Sequence, residues 1–260
     1  MTADAREPVH AVEHEQEKVA AFEAQQPIMD RIREMGFARY AETLPRLPEA
    51  FDLEKHKVGE YLRPVLCMDE RTVGGVHSAG SCILLSPEDL ETYMRVAQPD
   101  AITSHNGCGA GKLYCRVHGL PEENSDKIAR ARAEEIAKQY SLPHVHLRVE
   151  QKFHSARVCY WDVTGRINND PDSGLPEGFV ISRAFMNKEN CLKEAGTALD
   201  IIFGDHGYGR QAFSADNPFI ITAVAQDENQ LEEMKKEIAQ LTHLYGDIVA
   251  IDGFILRLAE

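Results

Sequence analysis

A chain of 260 residues is long enough to bury a core without covalent staples, and its 43% hydrophobic and 27% charged composition excludes a disordered or fibrous protein. The formal charge of −14 repels phosphate backbones and excludes nucleic acid as the expected partner. No apolar run approaches membrane-spanning length, and residues 1–18 lack the basic-then-apolar order of a secretory signal. The expectation is a cytoplasmic protein with no membrane partner and six reduced cysteines.

Residues 9–40 read as a long helix, with Val12, Val19, Phe22, Ile28, Ile32 and Met35 spaced for an apolar stripe and Pro27 expected to break or kink it. A connector follows at Pro45–Pro48. The apolar run Leu62–Cys67 predicts a buried strand, which ends in the polar Met68-Asp69-Glu70-Arg71 with Gly74, Gly75 and Gly80 behind it. Ser86-Pro87-Glu88-Asp89 is a helix start, with an N-cap serine, a proline at the first position and acids complementing the dipole; that helix ends near Ala97. Asp100–Ser104 predicts a strand and His105–Gly111 the loop after it. Pro121–Tyr140 reads as a helix, Val145–Val149 and Val158–Val163 as strands, and Thr164–Glu177 as a polar loop. The last third alternates again, with strands at Phe179–Ser182, Pro218–Ala225 and Ile248–Leu258 and helices at Glu189–Phe203 and Asp227–Leu244. No internal repeat is visible. The alternation predicts an α/β fold with a mainly parallel central sheet flanked by helices, as one domain over 49–260. An N-terminal helical arm, 1–48, precedes it, and its apolar stripe is expected to be covered by a second subunit.

Two short segments carry chemistry, each at the carboxyl end of a predicted strand, where open α/β sheets collect their ligands. Cys67-Met68-Asp69-Glu70-Arg71 is a C-x-D-x-R, and His105-Asn106-Gly107-Cys108-Gly109 is an H-x-x-C-G. Cys67, His105 and Cys108 offer two thiolates and an imidazole, the ligand types zinc prefers, and three protein ligands leave a fourth position free, as in catalytic sites. Asp69 stands two residues from a ligand, and Arg71 can hold its carboxylate bidentately as a fixed acceptor for a metal-held water.

Together the two segments resemble the zinc signature of β-class carbonic anhydrases, in a divergent form near the algal low-CO₂-inducible type. The resemblance covers roughly Leu62 to Lys112. It implies Zn²⁺ at Cys67, His105 and Cys108, an Asp69–Arg71 catalytic dyad, and reversible hydration of CO₂ to bicarbonate by zinc-bound hydroxide. It also implies a homodimer or higher oligomer with sites near the subunit interface. The spacing between the segments is short, and Gly74–Ser81 does not match the arginine–asparagine stretch usual there. Relatives on this scaffold hydrolyse carbonyl sulfide or carbon disulfide, so a CO₂ analogue is the alternative substrate; a non-catalytic zinc-bearing regulatory protein is the alternative without chemistry.

Cys82, Cys115, Cys159 and Cys191 lack spaced partners and read as core thiols. His144 and His146 share a strand face and form a candidate metal pair without an evident third ligand. His77 sits in the glycine-rich loop near the proposed zinc. His206, in Gly204–Arg210, is a candidate proton shuttle.

Overall fold

The structure, a computed structural model, describes residues 7–149 and 153–256, and the side chains among them from residue 14 onward except 49 and 50. The Val12 side chain and the end of the last predicted strand, residues 257 and 258, lie outside what is described. The order is α1 (Glu7–Met35), α2 (Phe37–Glu42), β1 (Pro64–Leu66), β2 (Val76–His77), α3 (Pro87–Ala97), β3 (Ala101–His105), α4 (Gly109–Val117), α5 (Ser125–Gln139) and β4 (His144–Leu147). Then come β5 (Val158–Asp162), β6 (Gly178–Ile181), α6 (Lys188–Phe203), β7 (Phe219–Ala225), α7 (Glu228–Tyr245) and β8 (Val249–Ile255).

Among the described residues these strands pair in parallel throughout and divide between two four-stranded sheets. The first has the order β2-β1-β3-β4 and the second β6-β5-β7-β8. These are the same order in each half of the chain, so the fold contains a topological repeat that the sequence pattern does not display. The halves meet where the backbone N–H of Val180 donates to the carbonyl of Met68 (2.8 Å) and that of His77 donates to Ser182 Oγ (3.0 Å).

The second sheet is covered on both faces, which explains its near-continuous apolar strands. Alternate residues divide accordingly. Cys159, Trp161, Phe179, Ile181 and Ile221 enter the main core with α6 and α7, while Val158, Tyr160, Val180, Ile220 and Phe254 face α1 and α2. The arm is therefore covered by its own chain: Met29, Ile32, Phe37 and Tyr40 are buried against that sheet, and Phe37 stacks on Phe254 with centroids 5.4 Å apart. This removes the arm as a reason to expect a second subunit.

Two details of the arm differ from the sequence expectation. Helix α1 runs through Pro27 and stops at Gly36, whose φ of 81° places it in the left-handed region. Its buried face runs Lys18, Gln25, Met29 and Ile32, and Val19 is exposed. The polar members are there because loop carbonyls beneath need donors: Lys18 Nζ reaches the carbonyl of Asp205 (2.8 Å) and Gln25 Nε2 that of Ser155 (2.7 Å). Ile32 is 1% exposed, so Ile32→Ala is expected to lower the unfolding free energy by about 3 kcal/mol in urea titrations. An unchanged midpoint would mean the arm does not pack as described.

Candidate metal centre

The ends of β1 and β3 bring Cys67, His105 and Cys108 together. One ligand atom from each lies within 4.8 Å of the others, and the residues are only 4%, 2% and 3% exposed. The two sulfurs are 3.9 Å apart, close to the ~3.8 Å that tetrahedral bonds of about 2.3 Å impose. His105 Nδ1 pairs with the Asn106 carbonyl (2.9 Å), which fixes the proton there and leaves Nε2 bare. That Nε2 is buried without a partner, the state expected of a nitrogen whose lone pair is reserved for a metal. The donor set and its geometry fit a zinc ion.

Local structure prepares each ligand. Cys108 is the N-cap residue of α4, so its sulfur sits at the positive end of a helix. The Cys67 thiol donates to it and lowers its pKa; burial opposes this, and the N–H groups of Gly111 and Ala110 assist. Cys67 itself is pushed well up by that same hydrogen bond and by burial. The His105 loop is clamped because the Asn106 side chain pairs reciprocally with the backbone of Val149 (2.9 and 3.0 Å). The unmatched stretch Gly74–Ser81 supplies β2 and then wraps Cys67. His77 Nδ1 donates to the Cys67 carbonyl (2.8 Å), and the Gly80 N–H donates to the Cys67 sulfur (3.2 Å).

Asp69 and Arg71 form the expected pair. Arg71 donates Nε (2.6 Å) and its backbone N–H (3.0 Å) to Oδ1, and Nη2 to Oδ2. Burial alone would raise the Asp69 pKa, but the Arg71 hydrogen bonds and the charges of His154 and Arg71 hold the carboxyl well below the usual range. Asp69 Oδ2 is 3.8 Å from His105 Nε2, so an ionised acceptor sits beside the nitrogen that faces the metal position.

The second half closes the site with residues that sequence reasoning missed. His154 Nδ1 donates to Glu70 Oε2 (3.1 Å) and lies 3.8 Å from Asp69 Oδ2; Ser155 N–H donates to Glu70 Oε1 (2.8 Å). Burial disfavours a charged His154, but the Glu70 and Asp69 carboxylates outweigh it and raise its pKa. Glu70 stood inside the C-x-D-x-R motif, whereas nothing periodic surrounds His154. A cavity of about 170 Å³ is lined by Arg71, Gly107, Gly109, Lys112, Phe153, His154 and His206. His206 thus lies at this cavity, its Nε2 accepting from Lys112 Nζ (2.8 Å). A larger cavity of about 370 Å³ touches Glu70, Arg71 and Val73 but otherwise lies among residues 148–177, and none of the three ligands lines it.

The other candidates resolve as structural. His144 and His146 both pair with Ser104 Oγ (3.0 and 2.9 Å), and among the described residues no metal-ligating group includes them. Cys82, Cys115, Cys159 and Cys191 are buried free thiols.

Glu194 on α6 is a buried acid that the sequence did not flag. Its Oε1 accepts from Ser78 Oγ (2.6 Å) and the Ala79 N–H (2.9 Å), while Oε2 has no partner. Burial among the neutral groups of Cys82, Cys159, Cys191 and Tyr93 pushes its pKa up to about 7 against those two hydrogen bonds. The folded value lies above the unfolded value of about 4.3, so this stability is complete below that pH and is lost as pH rises through 7. Between pH 6 and 8.5 the loss should be about 1 kcal/mol. Urea unfolding at both pH values measures it, and Glu194→Gln should remove this component; equal pH dependence in both proteins would contradict the assignment.

The chain thus holds a buried Cys–His–Cys group that can bind a metal ion, inside a parallel α/β fold, and among the described residues no helix is long and apolar enough to cross a membrane. Comparison with protein-family models, with curated proteins and with solved structures finds no match.

Proposed function

We propose that this protein is a zinc-dependent hydratase of CO₂ of the β-carbonic anhydrase kind, with zinc on Cys67, His105 and Cys108. The observation that carries the reading is the Arg71-locked Asp69 carboxylate, 3.8 Å from the unpartnered Nε2 of His105. Zinc, when bound, supplies a Lewis acid that makes water nucleophilic near neutral pH.

The chain's residues do the rest. Asp69 Oδ2 accepts a hydrogen bond from the water and aims its lone pair, and Arg71 keeps that oxygen ionised and in place. His154, tied to Glu70 and beside Asp69, carries a positive charge that helps keep Asp69 ionised, and its ring lines the cavity through which the released proton leaves. There His206 is the exit base, because burial and the Lys112 charge lower its pKa and favour prompt release to buffer. A cavity of about 170 Å³ between Phe153 and Lys112 suits a small uncharged substrate entering and a small anion leaving.

Stopped-flow CO₂ hydration by the zinc-loaded protein, run beside sulfide release from carbonyl sulfide, tests the reading. Saturable hydration that a chelator abolishes supports it. Sulfide release without hydration would assign the site to the sulfur analogue, and neither activity in a zinc-bearing protein would assign it to binding or regulation.

A further inference from the structure

Between β2 and α3 the chain makes a turn that backbone preference alone does not sustain. Gly80, Ser81 and Cys82 have φ values of 60°, 58° and 74°, three successive residues in the left-handed region, two of them with side chains. A Cβ at Gly80 would lie 2.7 Å from Ile83 and 3.0 Å from Ala110, so only glycine fits there. This turn aims the Gly80 N–H at the Cys67 sulfur. A strained turn that holds a ligand must itself be held. At its far side Ser81 Oγ pairs with Thr103 Oγ1 (3.2 Å). At its entry the holder is Glu194, which takes both the Ser78 hydroxyl and the Ala79 N–H on one oxygen.

We propose that Glu194 is a positioning residue for the metal centre, contributed by the second half of the chain: through Ser78 and Ala79 it fixes the Gly80 N–H that hydrogen-bonds the Cys67 thiolate. This deepens the proposed function, because it rests on Cys67 being a metal ligand. Two features favour a positioning role over a packing role. The carboxylate is buried with one oxygen unpartnered, an arrangement that destabilises the folded chain where an apolar side chain would not. Its two hydrogen bonds go to consecutive residues that end one position before the donor to sulfur, with no slack between them. Above pH 7, where Glu194 is ionised and where cobalt release is measured, charge-assisted bonds to its carboxylate are about twice as strong as those to an amide, so glutamine keeps the shape and loosens the hold.

The test uses the full chain loaded with cobalt(II), whose sulfur-to-metal absorption reports the thiolates directly. Release of cobalt to a chelator is followed for the unaltered protein, for Glu194→Gln and for Ser78→Ala. Both variants are expected to release cobalt about 10-fold faster, with a shifted thiolate band and an intact cooperative unfolding transition. Glu194→Gln should do so while being no less stable at pH 8.5, which separates positioning from folding. An unaltered release rate and band in both variants would overturn the proposal and leave the metal site standing. An unaltered protein that shows no thiolate–cobalt band would overturn the metal reading and the proposal together.

Discussion

Asp69→Asn is expected to keep its zinc and lose about 100-fold or more in the rate of CO₂ hydration, the size of effect a positioned proton acceptor supplies. The side chain is not among the three ligands, so metal content should not follow activity. What changes is the acceptor. The carboxylate receives Arg71 on both oxygens and still offers a lone pair 3.8 Å from His105 Nε2. An asparagine of the same shape can accept on one side only. Its NH₂ either faces the guanidinium, where two donors meet, or faces the water, where a donor replaces the required acceptor. Either way Arg71 loses its ion pair in a buried place, which strongly penalises the arrangement. Arg71→Ala should be impaired for the complementary reason, since an unclamped Asp69 is neither fixed nor held ionised. A hydration rate in Asp69→Asn equal to that of the unaltered protein from pH 6 to 9 would remove the dyad from the mechanism.

Cys108→Ser is expected to lose most of its metal, from about one zinc per chain to a small fraction, by elemental analysis after dialysis. A hydroxyl at the start of α4 occupies the same place, but it does not ionise at neutral pH and is a poor match for zinc beside the Cys67 sulfur. The N–H groups of the helix terminus that stabilise a thiolate would then donate to a neutral oxygen instead. The fold should persist, because the two halves are joined through Val180, His77 and Glu194 rather than through Cys108. Full zinc retention would show that Cys108 is not a ligand.

Much of this was legible in the sequence because the chemistry is carried by local signals. Ser86 caps α3 through the Asp89 N–H as its Ser-Pro-Glu-Asp start requires, and the five motif residues converge because both segments end adjacent parallel strands. Other features were not legible. The first turn of helix α4 falls in the predicted loop His105–Gly111 because Gly109 and Gly111 argue against helix, and residues 112–117 carry no sequence reading; Gly111 is there because a Cβ would lie 2.9 Å from Ala129 on α5, so close packing overrides propensity. Strand β2 has only two residues, too few for any period to show. The repeat is hidden because the halves share strand order and not chemistry. After β1 the chain presents Cys67 and Asp69 at the candidate metal centre, whereas the end of β5 presents Asp162, whose carboxylate is used up capping its own loop at Thr164, Arg166 and Ile167. His154 and Glu194 escaped notice for a related reason: each acts across the junction of the two halves, a relation with no sequence spacing to betray it.

X-ray absorption at the zinc edge of the purified protein tests the central claim most directly. About one zinc per chain is expected, with two sulfur scatterers at about 2.3 Å and the remaining nitrogen or oxygen scatterers at about 2.0–2.1 Å. Zinc bound only by nitrogen and oxygen, or a protein that binds no zinc when reconstituted under reducing conditions, would contradict it.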